Sequence, residues 1–120
     1  MQFKTLVRQE HLNQYGFLFG GYMLLWVDEF AYLAAIEDYP CVSFVTRAME
    51  AVSFTQSVKL GSVLTFTVTR QKVGHTSVTY DVNVTARDVA SCEPYQAFRT
   101  SVTLCAVTKD GRKMPLPHSN

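Results

Sequence analysis

The stretch HLNQYGFLFGGYMLLWVDEFAYLAA, His11 to Ala35, organises the rest of the chain. From Gly21 to about Ile36 it reads as a helix whose Tyr22, Leu24, Leu25, Val27, Phe30 and Leu33 leave no polar face. A helix apolar all round is a buried one, because no orientation gives it a wet side. It is not a membrane span: Asp28 and Glu29 sit in its middle and the apolar run falls short of the ~20 residues a bilayer requires. A buried helix is therefore expected to carry two adjacent carboxylates. An unpaired buried charge is costly, so such a group is paired, neutralised or used chemically.

On either side of the helix the texture changes. Before it, residues 2–8 (QFKTLVR) suit a short strand, and Gly16, Gly20 and Gly21 permit tight turns and close backbone approach. The helix is expected to stop before Asp38-Tyr39-Pro40, since the residue before a proline avoids helical geometry. After it, residues 41–54 suit one bent strand, rich in β-branched and aromatic residues. Residues 62–73 alternate, with Leu64, Phe66 and Val68 opposite Thr65, Thr67 and Thr69. Residues 76–89 alternate in the same way, and Val73 to Thr76 supply the hairpin between the two. Residues 97–108 form a last strand, and a loose tail is expected from Met114 to Asn120. One helix followed by four consecutive strands gives an α+β fold, an antiparallel sheet with the helix against one face. The whole reads as a single domain over residues 1–120. A helix this apolar needs more cover than one sheet provides, so its open side is expected to meet another subunit.

Composition narrows the function. The formal net charge is +1 and the basic residues are scattered, which argues against nucleic acid as a partner. The N-terminal residues lack the apolar run of a secretory signal, so a cytoplasmic location is the expectation. Cys41, Cys92 and Cys105 form no CxxC pair and read as reduced structural thiols. The three histidines show no ligand spacing, so no metal site is expected.

The helix geometry suggests chemistry. Gly21 and Asp28 lie on nearly the same face, and the N–H groups at the helix start suit a developing oxyanion. At ~1.5 Å per residue the carboxylate stands roughly 10 Å from those donors, too far for one carbonyl to touch both. Two such helices packed antiparallel about a twofold axis would bring the start of one to Asp28 of the other.

The spacing Asn13, Gly16, Gly20-Gly21, Met23, Asp28 resembles that of the hotdog-fold acyl-CoA thioesterases, bacterial acyl-CoA hydrolases and their mammalian cytosolic relatives. The resemblance continues through VTRAMEAVSF, VKLGSVLTF, Gly74 to Ser77 and KDGRKMPLP, and covers most of the chain. It implies a curved antiparallel sheet wrapped around one long central helix, and homodimers with sites at the interface that assemble into hexamers or tetramers. It implies acyl-CoA as the substrate, with coenzyme A bound only as part of it and no cofactor. Asp28 matches the catalytic carboxylate, acting as general base or nucleophile. Asn13 matches the side chain that polarises the thioester carbonyl, and the backbone around Gly20, Gly21 and Tyr22 matches the oxyanion hole. Gly74, His75, Thr76 and Ser77 match a turn lining the coenzyme A groove, whose free N–H and hydroxyl groups suit phosphate contacts. Three positions depart from the pattern: Gln56-Ser57 stands where Arg-Pro is common, and Phe17 replaces a commonly polar residue.

Each candidate has a plainer role beside it. Asp28 can be a hydrogen-bonded structural carboxylate, and Asn13 a turn residue. Glu29 is a reserve candidate that points elsewhere on the helix. Glu50 or Ser53 could orient the attacking water or simply face solvent. Lys59, Arg70, Lys72 and Arg87 could meet coenzyme A phosphates or be ordinary surface charges. Three other functions fit parts of the pattern: an acyl-CoA sensing domain without catalysis, a thioesterase acting on acyl carrier protein, and a dehydratase. The last would want a histidine on the helix, where none occurs.

Overall fold

The computed structural model describes residues 1–118. The apolar stretch forms helix α1, Gly20–Asp38, beginning where Phe19 is extended (φ −70°, ψ 131°) and ending at Tyr39, just ahead of Pro40. Five strands follow the expected order: β1 Gln2–Leu6, β2 Ser43–Phe54, β3 Val63–Val73, β4 Ser77–Arg87 and β5 Tyr95–Val107. All pairs are antiparallel, in the spatial order β1-β3-β4-β5-β2. The alternation in β3 and β4 orients the sheet. Leu64, Phe66, Val78, Val82 and Val84 are buried beneath α1, and the intervening threonines face outward.

Helix and sheet are joined by Met23, Trp26, Val27, Ala31, Ala34 and Ala35, the buried stripe of α1. Aromatic contacts fix its roll. Phe30 stacks on Phe3 of β1 at 4.5 Å and meets Phe66 of β3 at 4.8 Å. At its C-terminal end the Tyr80 hydroxyl donates to Asp38 Oδ2 at 2.7 Å, tying the last turn to β4.

The helix has an uncovered side, as expected of a single sheet: Leu25 is 55% exposed and Tyr32 39%, because one sheet covers only one face of a cylinder. Two expectations need correction, the burial of both helix carboxylates and the loose tail. Asp28 is accordingly half-buried and Glu29 exposed. The tail expected from Met114 is held for part of its length. The Met114 N–H bonds the Ala106 carbonyl at 3.0 Å and the Leu116 N–H bonds the His75 carbonyl at 2.9 Å, while both side chains pack on the core. The part of that expectation falling on Ser119 and Asn120 lies outside the described residues.

Candidate active site

The loop before α1 is built around Asn13. Its Oδ1 accepts the N–H groups of Tyr15 (2.9 Å) and Phe17 (3.1 Å), and its own N–H donates to the Phe17 carbonyl at 2.7 Å. Two N–H donors fix the oxygen as the atom that faces them, which leaves the Nδ2 hydrogens to donate elsewhere. Asn13 is therefore a turn residue and an available donor at once. The loop is pinned from below by the Leu18 N–H, which donates to the Val58 carbonyl at 2.8 Å.

The loop delivers the chain to a helix start without a side-chain cap. Among the described residues, the N–H groups of Gly20 and Gly21 make no hydrogen bond, whereas that of Tyr22 donates to the Phe19 carbonyl at 3.0 Å. The expected oxyanion donors thus narrow to the two glycines, and the Tyr22 N–H is already spent. Close packing explains the glycines. A Cβ on Gly21 would come within 2.5 Å of the Phe19 ring, and one on Gly20 within 3.2 Å of the Phe54 ring. Asn13, Gly20, Met23, Phe54, Gln56 and Ser57 line a cleft of about 570 Å³ at this point. Beside the cleft the Ser57 carbonyl accepts from the Tyr95 phenol at 3.3 Å, and burial, then the charge of Asp88, raises the pKa of that phenol.

Asp28 does not reach this cleft. It lies two turns along α1, where the Thr46 hydroxyl of β2 donates to its Oδ1 at 2.5 Å. Thr46 is the hydrogen-bond partner of Asp28 that the sequence did not point to; Glu50 and Ser53 were the polar residues of that strand it singled out. Both of those are exposed, and Ser53 lines a separate shallow groove with Asp81 and Arg99. Thr46 faces the helix by alternation from buried Phe44, whereas the bulge after it sets Glu50 opposite Ser101 and a second sets Ser53 opposite Arg99, on the other face, and periodicity does not reveal bulges.

The remaining candidates lie elsewhere. Lys72 and the hairpin Gly74–Ser77 close the far end of the sheet. Ser77 pairs with Cys105 and Phe54 is held beside Phe98 on β5, so hairpin and cleft stand roughly 23 Å apart along that strand. The Gly74 N–H donates to the Ser77 carbonyl at 2.7 Å, so it is not the free donor expected of it. Lys72 and His75 are exposed, and Thr76 and Ser77 half-buried. One protomer thus brings Asn13 and Gly20 to one cleft with Gly21 at its margin, pairs Asp28 with Thr46, and leaves the hairpin apart. Among the described residues no three His, Cys, Asp or Glu side chains cluster as metal ligands. No described helix is long and apolar enough to cross a membrane.

A family model described as the thioesterase superfamily matches residues 15–93. The chain is 29% identical over 98 residues to protein VdlD of Helicobacter pylori, a match taking in 82% of this chain and 55% of VdlD, so it spans about half that relative's length. It is 30% identical over 118 residues to the acyl-CoA thioester hydrolase YciA of Salmonella typhimurium, over 95% of this chain and 87% of YciA. The hexameric hotdog fold thioesterase of Campylobacter jejuni superposes with a TM-score of 0.86 at 32% identity, over 96% of this chain and 88% of the other.

Proposed function

The chain belongs to the thioesterase superfamily and has its hotdog fold, and from that premise we propose that it hydrolyses acyl-CoA to coenzyme A and a free carboxylic acid. The observation that carries this reading is the division of labour along α1. Unspent N–H groups stand at its start beside Asn13, and a carboxylate with one oxygen held stands two turns on. Thr46 occupies Asp28 Oδ1, which leaves Oδ2 to take a proton from water. The hydroxide so formed attacks the thioester carbonyl, and the resulting oxyanion accepts from Gly20, Gly21 and Asn13 Nδ2. As the tetrahedral intermediate collapses, the C–S bond breaks and the departing thiolate takes up the proton that Asp28 removed from water, which returns the carboxylate to its starting state.

The separation of Asp28 from the cleft supports a site completed by a second copy, in which the start of one α1 meets Asp28 of the other. The same logic assigns Lys72 and the Gly74–Ser77 hairpin, with Tyr22 and Ser53, to coenzyme A contacts made between copies. Such assemblies are dimers or the hexamers that the Campylobacter relative forms. The chemistry needs no group beyond water, substrate and these side chains. Free Cys41, Cys92 and Cys105 suit the reducing cytoplasm, where we place the protein.

Thiol release measured across a panel of acyl-CoA esters tests the reading. The Asp28→Asn variant should lose about 100-fold or more in kcat while keeping its fold and assembly. Near-normal turnover by that variant would remove Asp28 from the mechanism.

A further inference from the structure

The site as proposed depends on a distortion in β2 that has its own support. Glu50 pairs with Ser101 and Ser53 with Arg99, so Ala51 and Val52 together face the single residue Thr100. This is a β-bulge, and Ala51 adopts φ +57°, the left-handed conformation that a bulge of this kind ordinarily gives to glycine. Thr100 is 2% exposed, and its hydroxyl donates to the Glu50 carbonyl at 2.7 Å, directly beside the distortion.

The bulge decides which way Phe54 faces. Met49 pairs with buried Val102 and so points inward, and strict alternation from Met49 would turn residues 51 and 53 inward and 54 outward. The extra residue inverts that order. Phe54 instead pairs with buried Phe98, their rings 4.8 Å apart, and lies against Gly20 as a wall of the cleft. Phe54 is itself 54% exposed, so its ring forms a surface of the cleft rather than a part of the core.

We propose that Thr100 is a positioning residue for acyl selectivity: its hydroxyl holds the bulge that presents Phe54 to the helix start, and the Phe54 ring limits the bulk of the acyl group admitted. The inference rests on the thioesterase reading above. Thr100 has no part in bond making or breaking, and its effect reaches the substrate only through Phe54.

The test is kcat/KM over a series of acyl-CoA esters of increasing length and branching, with thermal unfolding recorded alongside. The Phe54→Ala and Phe54→Leu variants should shift preference toward bulkier acyl groups, by about tenfold for the former relative to the shortest ester. Thr100→Val should shift the profile in the same direction, Thr100→Ser should restore it, and Thr100→Val combined with Phe54→Ala should shift it no further than Phe54→Ala alone. A lowered Tm in Thr100→Val with an unchanged profile would reduce Thr100 to a structural residue and overturn the proposal. An unchanged profile in both Phe54 variants would overturn it equally, without depending on how well Thr100→Val folds. If the wild-type protein hydrolyses none of the esters, the thioesterase reading itself fails; the selectivity proposal alone fails only when the wild type is active.

Discussion

At the scale of single residues, the informative contrast is between Asn13 and Asp28, both polar and both half-buried, each with one end of its side chain engaged. The Asn13 oxygen is consumed by its own loop and its amide remains free; one Asp28 oxygen is consumed by Thr46 and the other remains free. Engaging one end orients the other, which is how a donor or a base is pre-organised without losing its function. Replacing Thr46 by Val keeps shape and removes the hydroxyl. Loss of the bond that orients the carboxylate should lower kcat by about tenfold, since misplacing a catalytic group is costly. Steady-state kinetics decide this, and an unchanged kcat would make the Thr46 contact incidental. Asp28 and Asn13 were legible in the sequence because a carboxylate in an apolar helix and a loop of fixed glycine spacing are local signals. Thr46 was not, because its closeness to Asp28 is set by a contact between residues 18 apart in sequence.

At the scale of elements, α1 is held at its two ends by different means. Its start is uncapped and packed against aromatic rings, while its end is tied by Tyr80 to Asp38. Burial, then the hydrogen bond to Asp38, pushes the Tyr80 phenol well above its ordinary value of 10.0. A raised folded-state pKa means that the fold favours the protonated phenol. Its stabilisation is therefore complete below pH 10 and is lost as pH rises beyond that. Tyr80→Phe should lower stability at neutral pH by about 1.5–3 kcal/mol, the range for a hydrogen bond to a charged group. It should also flatten the alkaline loss seen in the wild type. Urea unfolding at pH 7 and across pH 9.5–11 measures both, and a variant as stable as the wild type at pH 7 would show the tie to be dispensable. The strands themselves were readable because β3 and β4 alternate without interruption and so carry a strong period of two. β2 was readable only as bent. Its register shifts at Arg47 and at Ala51–Val52 depend on β5 opposite, including the buried Thr100 hydroxyl, and no property of β2 alone specifies them.

At the scale of the whole molecule, one protomer leaves an open face running along α1 through Gly21, Leu25, Asp28 and Tyr32, and an unpaired edge along β2. Leu25 and Tyr32 place apolar area in water beside the half-buried carboxylate of Asp28, area that a second copy would remove from water in the proposed dimer. The helix-start donors and Asp28 share that face yet stand roughly 10 Å apart along the axis. This is why the sequence could suggest an assembly without specifying it: the separation is local to one helix, whereas in the proposed assembly the surface that closes it belongs to another copy. A twofold axis across the open face makes a sharp prediction. If each site takes Asn13 and the glycine donors from one copy and Asp28 from the other, Asn13→Ala and Asp28→Asn are lesions of complementary halves. In a mixed dimer one site then carries both lesions and the other carries neither. Equal amounts of the two inactive variants, unfolded together and refolded, form mixed dimers in about half of the population, each with one of two sites intact, so about a quarter of wild-type activity should return. Each variant refolded alone should return no more than its own residual activity. Recovery no greater than the average of the two separate variants would mean that Asn13 and Asp28 of the same chain serve one site, and that the carboxylate reaches the thioester by movement within a protomer.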